Sequence, residues 1–411
     1  MKVIPLKIKS KKQAKDILSS LGVDSGGIEI LASKSINAAF KIEGISSWEA
    51  NIIKQHALSL GTDAAINRDA LIKKIKTDVL VFGNVAQLKK LCDKLRNQPF
   101  KLKLISSVIS QYLDAAYKER FIFKARDKVL KIENPVICGI INLTPDSFSG
   151  DGLLVMSQVT SSKAQVKKKV KDLALRKAEE MIKNGAEILD LGGESSRPFA
   201  KAVKAEDEIS RVIPVLSAIR KEFKKVIISL DTYKYKVACA GVGAGADIIN
   251  DISAFRNDSL MGELVKKHKL GCVLMHMKGR PATMQIKPKY KDVSSDIVSF
   301  FKERLEFTDS INIDRDRIFL DPGIGFGKRV EDNFKIINDL YKFKIFGLPI
   351  FLGISRKSFI GKTLNVDVKD CDVGTIAAHI VSVVSGVNVL RVHDVSKTKQ
   401  AVKIACQIMN S

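Results

Sequence analysis

Eight apolar, strand-length runs in the later two thirds of the chain each finish in side chains that can bond or carry charge. In order, these ends are Asn142; Glu194 with Arg197; Asp231; Asn250 with Asp251; His276; Asp321; Ser355 with Arg356 and Lys357; and Arg391 with His393. Each has an ordinary explanation when taken singly: Asp231 as a helix cap, Asn250 as a loop-satisfying amide, His393 as a hydrogen-bonded core residue. All eight together are harder to explain that way, because polar groups in a packed wall cost desolvation energy unless a ligand meets them. The mixture of types suggests the ligand. Asp231, Asn250 and Asp321 offer acceptors for a planar heterocycle rich in N–H donors, an aspartate meeting an amidine-like edge with two parallel bonds. Arg197, Arg391 and His393 are donors for a phosphate-type anion, and the planar arginine fork matches phosphate oxygens. One side of such a pocket asks for a donor-rich ring and the other for a leaving phosphate.

The elements that must position these residues follow from the periodicity. The runs VICGIIN, EILDLGG, VIISLDT, DIINDIS, CVLMHM, IFLDPGI, PIFLGIS and VLRVHDV alternate with helical patterns such as VKDLALRKAEEMIKNG and VGTIAAHIVSVVSG, glycine often closing the helix. Eight βα units from residue 135 onward predict an α/β fold of the (β/α)8 barrel type, whose continuous apolar strands suit a parallel sheet covered on both faces. A doubly wound sheet is the competing topology. In a barrel the polar ends converge on the C-terminal face, where active sites are built. Residues 1–130 read as a smaller N-terminal α/β domain with no nucleotide loop or metal-ligand spacing, and the stretch KERFIFKARDKVLKIEN reads as the joint between the two. The glycines of DPGIGFGK lack Walker spacing and read as turn and close-approach positions.

Composition excludes several classes. No run of eighteen apolar residues and no signal-peptide pattern occurs, which predicts a cytoplasmic protein without membrane association. Six cysteines without C-x-x-C spacing suit buried thiols rather than disulfides or zinc. The net charge of +24 is spread along the chain, and with one Trp there is no interleaving of aromatics and lysines, so no nucleic-acid partner is expected. The stretch INLTPDSFSGDG, Ile141 to Gly152, aims an amide, a hydroxyl, carboxylates and an aromatic at one strand end.

With these residues laid out, 135–411 resembles the dihydropteroate synthase family. The motifs run in order: NLTPDSFSGDG, LDLGGESSRP, SLDTYK, AGADIINDIS, LMHMKGRPATMQ, LDPGIGFGK, GISRKSFIG and VLRVHDV. The resemblance implies condensation of 4-aminobenzoate with 6-hydroxymethyl-7,8-dihydropterin diphosphate to 7,8-dihydropteroate and pyrophosphate, with Mg2+, in folate biosynthesis, by a homodimer that sulfonamides target. It implies that Asp231, Asn250, Asp321 and Lys357 contact the pterin, with Asp321 at the aminopyrimidine edge and Met275 packing on the ring. It further implies that Asn142, Arg197, Arg391 and His393 hold the diphosphate, with Asn142 near the metal. Lys357, Ser358, Ser196, Pro198, Phe148 and Phe326 would surround the aminobenzoate, and the loop bearing Asp146 and Phe148 would close over the site. Two positions depart from the family pattern. After Phe148 the chain reads Ser149-Gly150-Asp151-Gly152 where S-D-G-G is common, displacing the acid to Asp151, and it has Ser195-Ser196-Arg197-Pro198 where S-T-R-P is common. The alternatives are a pterin-dependent methyltransferase barrel, against which SRKSF and RVHD speak because methyl transfer expels no pyrophosphate, and a catalytically silent pterin-binding regulator.

Overall fold

The computed structural model describes every residue except 1, 7, 9, 119, 145–162, 196–201, 282, 368–369 and 411, together with the side chains of 163, 164, 167 and 410. The chain divides into two compact units, Met1–Lys118 with Lys344–Gly347, and Glu119–Phe343 with Leu348–Ser411. No described helix is long and apolar enough to cross a membrane.

The first unit holds a three-stranded antiparallel sheet of β1 (Asn37–Ser46), β2 (Asp63–Ile66) and β3 (Lys76–Asn84), in the order β1-β3-β2. Two strands run straight into capped helices: Ser46 and Glu49 form a capping box on Ser47–Leu58, and Asn84 and Gln87 form one on Val85–Arg96. Each satisfies backbone N–H groups that a helix start leaves unpaired. Ala50, Ile53, Val79, Val81, Leu88, Leu91 and Leu95 fill the core between sheet and helices. Residues 2–6 form no strand, and the run IEIL is helical within Ser25–Lys34, where the Asp24 side chain accepts from the Gly26 N–H and caps the turn.

The second unit opens with a hairpin, β4 (Phe121–Ala125) paired to β5 (Lys128–Ile132). Eight parallel strands follow: β6 (Val136–Asn142), β7 (Ile188–Gly192), β8 (Ile227–Asp231), β9 (Ile248–Asp251), β10 (Gly271–Met275), β11 (Ile318–Asp321), β12 (Phe351–Leu352) and β13 (Val389–Val392). The sheet order is β11-β10-β9-β8-β7-β6-β13-β12, and the parallel bridge Leu320–Ile350 brings the two ends together as a (β/α)8 barrel. The helix before β7 spans Lys163–Lys183 and opens in a lysine-rich stretch.

The hairpin corrects the expected domain boundary at residue 130. Phe121, Phe123, Ala125 and Ile132 pack with one residue from every barrel strand: Cys138, Ile188, Ile227, Ile248, Val273, Phe319, Phe351 and Val389. Phe123 is fully buried and stacks on Phe319 with ring centroids 3.7 Å apart. Gly271 makes the room, since a Cβ there would meet the Phe123 ring at 2.5 Å. The Lys128 ammonium donates to Asp247 Oδ2 at 2.7 Å, and Arg220 Nη2 donates to the same oxygen at 2.5 Å. The segment read as a joint is therefore the floor of the barrel.

Candidate active site

Side chains alternate along a strand with period two, so stepping two residues up from the apolar floor ring gives the next inward ring. That ring is Ile140, Asp190, Ser229, Asn250, Met275, Asp321, Gly353 and Arg391. Two residues further on, at the strand ends and the first positions of the loops, come Asn142, Gly192, Asp231, Ile252, Met277, Gly323, Ser355 and His393. The interior thus grades from hydrocarbon at the floor to polar groups at the C-terminal mouth. Registry keeps Asn142, Gly192 and Asp231 level and pairs Met275 with Asp321, while between β8 and β9 it steps by one ring, so that Asp231 pairs with Asn250.

Arg391 organises the middle ring. Its Nε donates to Asp190 Oδ2 at 2.5 Å, its Nη2 donates to Asp231 Oδ2 at 2.8 Å, and Asn250 Nδ2 donates to Asp190 Oδ2 at 3.2 Å. A Cβ on Gly353 would sit 3.7 Å from Arg391 Cδ, so the missing side chain leaves the guanidinium its space. The resemblance assigns Arg391 to the diphosphate alone; here it also neutralises acids on the pterin side. Burial, countered by Arg391 and reinforced by Asp190, pushes the Asp231 carboxyl up to about 7. Three buried polar atoms on the adjacent strands β7, β8 and β9 have no hydrogen-bond partner among the described residues: Asp190 Oδ1, Ser229 Oγ and Asn250 Oδ1.

Across the barrel, Asp321 is buried and its Oδ1 accepts from the Gly323 N–H at 2.7 Å. Burial raises its pKa, while Lys357, Lys328 and Arg391 act in the opposite sense, so acid and cations share one electrostatic neighbourhood. Lys357 N-caps the helix Ser358–Leu364, bonds the Ile324 carbonyl and lies 4.3 Å from the centre of the Phe326 ring. Burial lowers its ammonium to about 8. Arg356, just before it, holds φ at +54°, a strained value for a residue with a Cβ. His393 Nδ1 lies 2.9 Å from Ser355 Oγ. An apolar patch of Ile252, Met275, Met277 and Met284, with Tyr233 and Phe326 against it, offers a surface on which a flat ring can pack.

Most of the expected residues therefore converge. Asn142, Asp231, Asn250, Met275, Asp321, Phe326, Lys357, Arg391 and His393 lie on the inward rings or the loops above them, and exposed Ser358 opens its helix beside Lys357. Asp146, Phe148, Asp151, Ser196, Arg197 and Pro198 lie outside the described residues. Two strand-end groups point elsewhere. Asp251 accepts from the Ser253 and Phe255 N–H groups as a turn, and His276 faces outward against Phe300, ring centroids 5.0 Å apart. Asp190 and Ser229 escape the reading of strand ends because they sit two residues inside their runs; the period-two rule applied to EILDLGG and VIISLDT finds them.

At the rim, Glu194 accepts from the Tyr233 hydroxyl at 2.9 Å and bonds the Lys234 ammonium, which also reaches Glu208 Oε2 at 2.5 Å. Glu194, Ser195, Asp231, Thr232, Tyr233 and Ile252 line a cleft there. Among the described residues no group of three or more His, Cys, Asp or Glu is arranged to hold a metal.

Residues 138–393 match the family described as pterin binding enzyme. The chain is 40% identical over 273 residues to dihydropteroate synthase of Clostridium beijerinckii, covering 66% of this chain and 93% of that one. It is 39% identical over 280 residues to the Escherichia coli enzyme of the same name, covering 68% and 94%. Among solved structures, Yersinia pestis dihydropteroate synthase in complex with a sulfonamide drug matches with a TM-score of 0.64 and 35% identity, over 71% of this chain and all of that one. Xanthomonas albilineans dihydropteroate synthase with 4-aminobenzoic acid matches with a TM-score of 0.63 and 33% identity, over 71% and 99%.

Proposed function

The chain belongs to the dihydropteroate synthase family of pterin-binding enzymes, and from that premise we propose how its own residues divide the work. The reaction is a transferase condensation: 4-aminobenzoate and 6-hydroxymethyl-7,8-dihydropterin diphosphate give 7,8-dihydropteroate and pyrophosphate. One observation carries the assignment of the pterin subsite. Asp190 Oδ1, Ser229 Oγ and Asn250 Oδ1 are buried and unpartnered among the described residues on three neighbouring strands, with the Asp321 carboxylate in the same ring across the barrel. Unsatisfied acceptors of this kind cost about 1–3 kcal/mol each, and a bicycle edged with N–H donors removes that cost. Met275 and Phe326 supply faces for the ring to lie on.

In the chemical step the methylene C–O bond breaks and its electron pair leaves on the diphosphate. The aminobenzoate nitrogen then bonds to the methylene carbon and loses a proton. Charge separation sets the barrier, so preorganised groups at both ends lower it. Asp321 and Asp231 offset positive charge growing on the ring, while Arg391, His393 and Arg197 receive the departing anion. Lys357 and Phe326, already in contact, form the wall between the pterin and aminobenzoate subsites, with Ser358 beside them. Ser196, Pro198, Phe148, Asp146 and Asp151 are assigned to the aminobenzoate side and its closing loop by resemblance alone.

A magnesium ion fits this donor set in one way. Mg2+ typically takes one or two protein oxygens and keeps its other positions for water and phosphate. The Asn142 carboxamide, at the half-buried end of β6 with its oxygen facing Gly192 on the neighbouring strand, is the group that would hold it. When bound it would neutralise charge on the diphosphate.

Purified protein mixed with Mg2+, 4-aminobenzoate and the pterin diphosphate is expected to release pyrophosphate and form dihydropteroate in equal amounts. No pyrophosphate above background would reject the assignment. Pterin binding without turnover would favour a silent regulator instead.

A further inference from the structure

Lys328 closes the stretch DPGIGFGK and is 3% exposed. Its ammonium lies 3.0 Å from His276 Nδ1 and donates to the carbonyls of Gly323 at 2.8 Å, Phe326 at 3.0 Å and His276 at 3.3 Å. An ammonium has three N–H donors, so these acceptors account for all of them. Burial and the adjacent Lys328 charge keep the His276 ring neutral, which leaves Nδ1 free to accept. A fully interior lysine is uncommon, and nothing in the reaction chemistry above uses this one.

Its partners belong to two connections. His276 lies on the chain leaving β10; Gly323 and Phe326 lie on the loop leaving β11. The loop is drawn so close that a Cβ on Gly323 would meet the His276 carbonyl oxygen at 2.0 Å, and one on Gly327 would meet that of Lys278 at 2.3 Å. The other side of the loop faces the site. The Gly323 N–H donates to Asp321 Oδ1, the Ile324 carbonyl accepts from Lys357, and the Phe326 ring lies under the Lys357 ammonium.

We propose that Lys328 is a positioning residue for the pterin subsite: its ammonium clasps the chain leaving β10 to the loop leaving β11 and so fixes the Gly323 amide against Asp321. The clasp turns one face of the loop into a scaffold and the other into a binding edge. This inference rests on the reading that Asp321 meets the pterin.

The test is a double-mutant cycle on affinity for 6-hydroxymethyl-7,8-dihydropterin diphosphate, measured by calorimetry without aminobenzoate. Asp321→Asn is expected to weaken binding at least tenfold, Lys328→Met at least tenfold, and the double variant no more than about threefold beyond the weaker single. Lys328→Gln, which keeps two N–H donors on a shorter stem, should recover part of the loss. Fully additive effects, or Lys328→Met binding as tightly as the parent while Asp321→Asn is impaired, would overturn the clasp and leave the pterin reading standing. Unchanged affinity in Asp321→Asn would instead overturn the pterin reading beneath it. If neither Lys328 variant folds by circular dichroism, the residue serves folding and the positioning role is wrong.

Discussion

Arg391 shows what a single residue does in this site. It stands between two carboxylates, Asp190 and Asp231, and burial, only partly countered by the shared guanidinium, pushes the Asp231 carboxyl up to about 7. If the ionised carboxylate meets the pterin, kcat/KM for the pterin diphosphate falls about tenfold per pH unit below pH 7, since that ratio reports the free enzyme. Asp231→Asn should lower kcat/KM and flatten the acid limb; a parent profile flat from pH 5.5 to 8.5 would remove Asp231 from this role. The same cluster makes Arg391→Ala more than a catalytic variant. Removing the guanidinium leaves two buried acids unpaired, a loss of about 3–5 kcal/mol in unfolding free energy. The folded-state pKa of Asp231 then rises further, so the deficit is larger at pH 8 than at pH 6, where the group protonates. Urea midpoints at the two pH values check the size and the sign. The sequence names Arg391 and Asp231 plainly because each ends or nearly ends a run. Asp190, Ser229 and Lys328 are not legible in that way, since an acid or hydroxyl mid-strand and a lysine in a glycine loop acquire their meaning only from what faces them.

Among the elements, the helix Asp372–Val384 carries a consequence for pH that lies outside the site. Thr375, His379, Ser382 and Val383 form its buried stripe, at the spacing of one helical face. His379 is fully buried with both ring nitrogens lacking a partner, and burial lowers its pKa to about 4. The folded pKa lies below the unfolded value of about 6.5, so the stability this group contributes is complete above pH 6.5 and is lost as pH falls toward 4. At most about 3 kcal/mol is involved, one pKa unit being about 1.4 kcal/mol. His379→Leu should decline less steeply than the parent in denaturant midpoint between pH 7 and 5, the remaining slope including the share of buried His276; parallel decline in both would exclude His379 as the cause. Helices and strands of this kind are legible from their periods of 3.6 and 2. The run IEIL is the counterexample: four residues cannot distinguish the periods, and the Asp24 cap decides for helix.

At the scale of the whole molecule, the hairpin β4–β5 divides what can be removed from what cannot. A truncation beginning at Glu119 keeps the barrel floor and is expected to retain pyrophosphate release. One beginning at Asn134 removes Phe121, Phe123, Ala125 and Ile132 from beneath eight strands and should not yield a stable barrel. Phe123→Ala in the full chain should cost about 3–5 kcal/mol, read from chemical denaturation of the barrel unit. Equal stability of the two truncations would show that the hairpin is dispensable. The sequence by itself determined the eight-unit barrel, because apolar period and glycine punctuation are local properties, and it determined the chemical types gathered at the strand ends. Only the tertiary structure decided which partners the mid-strand groups meet and that a supposed joint closes the barrel from below. It also decided that a buried lysine ties two loops. Each of these depends on at least one contact between residues well separated in the chain, and no local pattern encodes such a partner.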